Sequence, residues 1–216
     1  MTQGRSWSVT PETKWLDIVA VVPHIVWYTY QEHDMQDHRK KILEAGLTIL
    51  REQGLAGLTQ PRVAAMTGLR QSHLTYYYPT RTDLLTAVAR VAIDNQLDGL
   101  RSLIKGISSR GQAAAKMAAV AARRENTRVL TALNQAADQE PAVQALFNEL
   151  LDGFVAELAA LLEKLHLSPA SARIDLLHAL LVGLSVIDLA TGRKNYRART
   201  KAALNLAFDL LSGKKT

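Results

Sequence analysis

Cysteine is absent from the 216 residues, which removes disulfides, cysteine-ligated zinc and thiolate nucleophiles from consideration and fits a reducing cytoplasm. Aromatic residues make up only 6% of a chain that is 48% hydrophobic. The apolar content is therefore carried by alanine, leucine and other aliphatics, the composition of an all-α core. No strand-like alternation, internal repeat or low-complexity tract is present. No uninterrupted apolar run approaches the ~20 residues that cross a bilayer, so no membrane association is expected. Trp15 to Tyr30 is apolar, but Asp17, Pro23 and His24 interrupt it and no small-residue cleavage site follows, which argues against a secretory signal. HExxH, P-loop, GxSxG and paired-carboxylate arrangements are also missing, and with them the usual grounds for reading an enzyme.

What is present begins with charge. The formal net charge is +6, a moderate excess that by itself proves little. Its location says more. Residues 35–90 hold eight Lys and Arg against four Asp and Glu, about twice the net positive charge per residue of 91–216, whereas residues 1–34 are net acidic. The basic excess thus gathers around the stretch Thr59 to Arg81, TQPRVAAMTGLRQSHLTYYYPTR.

That stretch reads as two short helices about a glycine turn. Thr59 stands at an N-cap position, and Pro61 falls in the first turn, where a missing N–H costs nothing. Ala64 is small enough for a second helix to cross close by. Gly68 sits where the chain must bend with positive φ. Leu69 and Leu74 supply apolar anchors and Pro79 ends the second helix. Small residue, glycine four on and apolar residue six further describe a helix-turn-helix.

The rest of the chain reads as a succession of helices. Residues 37–53 are amphipathic, with Ile42, Ala45, Ile49 and Leu50 inward. The trio Arg39, Lys40 and Lys41 is either a solvated face or a phosphate contact. A long helix from Thr82 to about Ile107 follows, carrying Asp83 in its first turn. Helical sequence then runs from Gln112 into Gln139, with a split near Glu125–Asn126. Pro141 opens another helix, with Leu146, Leu150, Leu158, Leu161 and Leu162 among its apolar face. Ser168-Pro169 reads as the cap of the next. Residues 170–190 are apolar nearly all round, so that helix must be buried on two sides, in a large core or against a second subunit. A basic loop, 192–199, leads to a final helix ending at Leu211. Residues 1–34 are expected to be a disordered extension, or to precede a true start at Met35; the alternative is an arm that touches DNA or a partner subunit.

With the helix order in hand, the chain resembles TetR-type (tetracycline-repressor-like) transcriptional regulators. The resemblance rests on ILEAGLTILREQG at 42–54, Thr59 with Val63-Ala64, and GLRQSHLTYYYPTRTDLLTAV at 68–88. Gly68, Leu74, Tyr77, the aromatic Tyr78, Thr80, basic Arg81, Leu84 and Leu85 match the family pattern, over about 50 residues. Thr75 stands where tyrosine is usual, Gly46 where alanine is usual, Arg62 where the residue is often acidic, and Pro61 where a hydrogen-bonding residue is common.

The resemblance implies an all-α fold with three parts: an N-terminal extension at 1–36, a helix-turn-helix DNA-binding domain at 37–82, and a helical effector-binding and dimerisation domain at 83–216. It implies a homodimer on a palindromic operator, joined through helices near 170–190 and 199–211, with no metal and no cofactor. A small-molecule effector would bind among the helices between about 90 and 165, releasing a repressor from DNA. In a helix-turn-helix the second helix enters the major groove with its N-terminal residues at base edges. Here Gln71 is placed to pair with adenine and Arg70 with guanine, followed by Ser72, His73 and Thr75. Thr59, Arg62, Tyr76, Tyr77 and Arg81 are better placed for phosphates. Asn134, Gln135, His178 and Asp188 are polar residues within apolar helices: candidates to line the cavity, with His178 read in the first instance as a core or interface histidine and Asp188 as partner to a nearby base. The rival reading is a helical interaction or nucleoid-associated protein of the same fold that binds DNA without sequence preference.

Overall fold

The computed structural model describes residues 35–213, and the expectations placed on residues 1–34 lie outside them. The chain divides into two compact units, Met1–Lys41 and Ile42–Thr216. Of the first, the described residues 35–41 are helical and mostly exposed. All packing that follows belongs to the second.

Helix α1 covers 35–53. From there the order is a short 3₁₀ turn Leu55–Gly57, α2 Gln60–Thr67, α3 Gln71–Tyr77, α4 Arg81–Lys105, α5 Arg110–Ala121, α6 Arg124–Ala137, α7 Pro141–Lys164, α8 Ser171–Thr191 and α9 Tyr196–Leu211. No strand occurs among the described residues. The all-α expectation holds.

Two hydrophobic clusters organise these helices. The first joins Ile42, Ile49 and Leu50 of α1 with Val63, Leu74, the first half of α4, Val129 and Leu133 of α6, and Val143, Leu146 and Leu150 of α7. The second joins the end of α4, α5, the second half of α7, and the inward faces of α8 and α9, with Phe208 wholly buried. The helix-turn-helix therefore has no core of its own; it closes over apolar surface that α4, α6 and α7 also share. Gly46 shows how tight the closure is. A Cβ at that position would lie 2.5 Å from Val88 Cγ2 of α4, which gives a packing reason for glycine where the family commonly has alanine.

Several helix ends differ from the sequence expectation, each for a visible reason. Helix α4 starts at Arg81 rather than Thr82 because Thr80 forms a capping box: its hydroxyl accepts from the Asp83 N–H while the Asp83 carboxylate accepts from the Thr80 N–H. The break between α5 and α6 falls at Ala122–Arg123, slightly earlier than Glu125–Asn126. Ser168-Pro169 does not cap α8, whose N-cap is Ala170. The preceding residues are committed to finishing α7: His166 takes φ 57°, and the Leu167 N–H donates back to the Leu162 carbonyl at 2.8 Å.

Helix α8 is buried on one side only. Ile174, Leu177, Leu181 and Asp188 face inward, while Leu176, Val182, Val186 and Ile187 are 45–48% exposed. On α9, Leu206 and Leu210 are 50% and 57% exposed. By length and composition, with a mean hydropathy of 1.8, α8 meets the bounds of a membrane span, which the sequence expectation did not anticipate. Its inward face nonetheless packs like that of a core helix and carries an ion-paired carboxylate, Asp188.

Candidate nucleic-acid interface

The turn between α2 and α3 is set by Gly68, whose φ of 71° and ψ of 8° place it in the left-handed region. A Cβ there would cost about 1 kcal/mol or more. Thr67 steadies the same corner, its hydroxyl donating to the Val63 carbonyl at 2.9 Å and accepting, at a longer 3.4 Å, from the Leu69 N–H. Thr59 holds the N-cap position of α2, with extended backbone and Pro61 in the first turn, but its side chain makes no capping bond.

Helix α3 follows with Arg70 at its N-cap position. Leu74 is fully buried and anchors the helix, and Leu69, Tyr77 and Tyr78 pack partly against the same cluster. Around the anchor, Arg70, Gln71, Ser72, His73, Thr75 and Tyr76 are all exposed. All of the base-reading candidates are thus open to solvent, and Leu74 alone of this helix is buried. Thr75 is partly occupied: its hydroxyl donates to the Gln71 carbonyl at 2.9 Å, leaving its oxygen as an acceptor. Tyr76 is 74% exposed and meets the half-buried Tyr77 edge to face, ring centroids 5.3 Å apart. Tyr76 is the freer of the two to reach a phosphate, and Tyr77 is the wall it leans on.

The flanking phosphate candidates divide. Arg81, the first residue of α4, is exposed, with one long bond of 3.4 Å from Nε to the Leu58 carbonyl that sets it beside Thr59. Arg62 is exposed on α2, but its Nη1 already donates to Gln53 Oε1 at 2.6 Å, so a phosphate would have to compete with that amide.

Three further side chains hold the head together: Gln60 and Arg128, which the sequence did not single out, and Thr80, which it offered only as a match to the family pattern. Gln60 Nε2 donates to the Tyr78 carbonyl at 2.8 Å, tying the start of α2 to the end of α3. Thr80 caps α4, and its hydroxyl and N–H hold the Asp83 carboxyl below the ordinary carboxylate range. Arg128 of α6 donates to the Arg51 and Glu52 carbonyls at 2.8 and 3.0 Å, closing the C-terminus of α1. Only Thr80 had a sequence signature, the Thr-x-x-Asp spacing of a capping box.

The polar candidates for a cavity separate similarly. Asn134 and Gln135 are exposed on α6 and line no interior space, because the inward positions of that helix are taken by Thr127, Val129, Ala132, Leu133, Ala136 and Ala137. Asp188, 3% exposed, is bound by both nitrogens of an Arg124 fork, at 3.0 and 3.3 Å. It is the partner to a base that the sequence reading favoured, and the bond raises the Arg124 pKa further. His178 is half-buried against Phe154, ring centroids 4.8 Å apart, and burial pushes its imidazole pKa down. A polar cleft of about 360 Å³ opens elsewhere, between Ser109, Arg110, Lys164, His166 and Asp209.

The arrangement of a glycine-turned helix pair, a long capped α4 and an apolar C-terminal pair is the fold of TetR-type transcriptional regulators. A crystal structure of a TetR-family transcriptional regulator from Rhodococcus sp. is similar with a TM-score of 0.64 and 22% identity, over 82% of this chain and 98% of that one. A TetR transcription regulator from Haloarcula marismortui gives 0.67 and 18%, over 82% and 98%. A transcriptional regulator from Saccharomonospora viridis, solved in complex with choline, gives 0.71 and 17%, over 81% and 96%. No protein-family model matches the chain, and no curated protein matches it.

Proposed function

We propose that this protein is a sequence-specific DNA-binding regulator of transcription of the TetR type, a repressor released by a small-molecule effector and acting in the cytoplasm. The observation that carries the reading is α3: a short helix anchored by a fully buried Leu74, around which Arg70, Gln71, Ser72, His73, Thr75 and Tyr76 are all exposed. A hydrated, hydrogen-bonding surface of this kind suits the floor of a major groove. In this reading residues 37–82 bind DNA and 83–216 bind effector and partner. Arg70, Gln71, Ser72, His73 and Thr75 face bases, while Thr59, Arg62, Tyr76, Tyr77 and Arg81 face phosphates.

One such head reads few base pairs, so two must act together, with recognition helices about 34 Å apart. The aliphatic residues left exposed on α8 and α9 support a twofold seam there, as the covering of such surface is favourable. The effector reading is supported by the fold's known occupants, choline in one neighbour and proflavin in the multidrug binding protein EbrR. In this chain the half-buried Phe154–His178 pair is the best candidate to meet such a molecule, which acts only if it prefers the spacing that does not fit DNA.

Selection of bound fragments from the source genome tests the reading directly, by yielding a palindromic site preferred by at least ~10³ over random duplex at physiological salt. Gln71→Ala should then lose about 1–3 kcal/mol of discrimination at one base pair of each half-site while keeping non-specific binding. Recovery of unrelated fragments without a common motif would favour a non-specific DNA-binding protein, and undiminished discrimination in the mutant would remove Gln71 from the reading surface.

A further inference from the structure

Between Asp188 and Asp209 the chain contains no acidic residue, yet it carries Arg193, Lys194, Arg197, Arg199 and Lys201. All five are exposed. Arg199 lies in helical register with Leu206 and Leu210, about 100° from the buried Thr200, and so belongs to the apolar stripe of α9. The other four occupy the α8–α9 connection and the opposite flank of α9. The connection is itself built tightly, with left-handed backbone at Gly192 (φ 58°) and Asn195 (φ 62°).

The position of this cluster relative to the head follows from α6. Arg124, in its first turn, holds Asp188 near the end of α8, and its guanidinium lies beside Gly192, 3.5 Å from where a Cβ would stand. That brings the exposed Arg123 into the same neighbourhood. One turn further along α6, about 6 Å in rise, Arg128 closes the C-terminus of α1. Next to that terminus Arg62 of α2 reaches Gln53. The cluster therefore sits beside the N-terminal turn of α6, on the side of that helix bundle that reaches the C-terminus of α1.

Resting on the DNA-binding reading above, we propose that Arg123, Arg193, Lys194, Arg197 and Lys201 form a second, sequence-independent contact surface for the phosphate backbone of the same duplex. This surface serves the DNA beyond the reach of α3. Exposed cationic side chains recognise a polyanion by charge density, since no fixed geometry is needed for counterion release. It contributes to affinity and encounter rate and leaves base preference to α3.

The test is the salt dependence of duplex binding by the full chain, followed by fluorescence anisotropy. Wild type, the quadruple variant R193Q/K194Q/R197Q/K201Q and Gln71→Ala are compared on the selected site and on a scrambled duplex of equal length. The quadruple variant should show a log Kd against log salt slope shallower by about two to four units, at ~0.9 per phosphate contact, with affinity on both duplexes reduced roughly 10- to 100-fold and site preference intact. Gln71→Ala should lose site preference with its slope unchanged. A quadruple variant with wild-type slope and affinity overturns the proposal while leaving the α3 reading standing. A wild-type chain that binds neither duplex overturns both. A quadruple variant that keeps duplex binding but loses binding to phosphatidylglycerol vesicles assigns the cluster to an anionic membrane surface instead, and this too overturns it.

Discussion

The helix-turn-helix and the α8–α9 pair both leave large side chains in solvent, but the two surfaces are opposite in kind. On α3 the outward residues are Gln71, Ser72, His73, Thr75 and Tyr76 above a buried leucine. On α8 and α9 they are Leu176, Val182, Val186, Ile187, Leu206 and Leu210, each about half exposed. A polar surface keeps its water until a partner offers equivalent hydrogen bonds, so its worth lies in discrimination. An aliphatic surface gains free energy simply by losing water, so its worth lies in association. In the function proposed above, the chain separates the task of choosing a partner from the task of holding one.

The comparison breaks most visibly if the aliphatic surface is charged. Leu206→Glu with Leu210→Glu should weaken a dimer by more than about 4 kcal/mol, since two leucines lose their burial and two carboxylates would have to be buried instead. Analytical ultracentrifugation should then find monomers of unchanged helicity at micromolar concentration, and a persistent dimer would move the seam elsewhere.

The next effect in size comes from the ion pair that fixes α8 to α6. Arg124→Ala strands the Asp188 carboxylate, whose side chain is 4% exposed, whereas the arginine it loses is 47% exposed. Removing one partner of a fully buried pair is strongly destabilising, and the arginine's exposure keeps the expected loss well below that limit. Urea unfolding measures it; a loss below about 0.5 kcal/mol would mean that water reaches Asp188.

In the head the corresponding experiment is smaller. Thr80→Ala removes the α4 cap and should cost about 1 kcal/mol. Because Thr80 holds the Asp83 pKa down, the wild-type contribution is present above the ordinary carboxylate pKa and is lost as pH falls through the lowered folded value. The variant should lose that acid limb, and identical acid titrations of stability would contradict the capping box.

The smallest effect belongs to His178. Burial lowers its pKa beneath the ordinary 6.5. The unfolded chain thus binds the proton more readily, and stability is full above about pH 6.5 and declines as pH falls through the lowered folded value. His178→Phe should flatten that decline in thermal melts between pH 7 and 5. An unaltered slope would place the imidazole in water.

The two surfaces also differ in how far the sequence made them legible. The extents of α2 and α3, the left-handed Gly68 and the inward Leu74 all follow from spacings of a few residues, and the structure agrees with each. The apolar excess of α8 was equally plain, yet which flank would turn inward was not, because a helix apolar all round gives no phase to its own burial. Asn134 and Gln135 were misread for the converse reason: polar residues inside an apolar stretch sit on whichever side the neighbours leave free. That Asp188 wanted a base was legible; that the base is Arg124, 64 residues earlier, depends on how α6 and α8 meet. Gln60 and Arg128 were invisible for the same reason, since their partners are backbone carbonyls 18 and about 77 residues away.

The Gln60 bond has a consequence for how the chain reaches its fold. By joining Gln60 to Tyr78 it closes a ring of fewer than twenty residues, and within that ring the Thr67 bonds and the contacts between α2 and α3 are shorter still in sequence. Loop closure over so short a span is entropically cheap, and contacts local in sequence form fast. The two-helix unit should thus be among the earliest parts to take shape, a preformed piece that then joins the hydrophobic cluster built with α1, α4, α6 and α7.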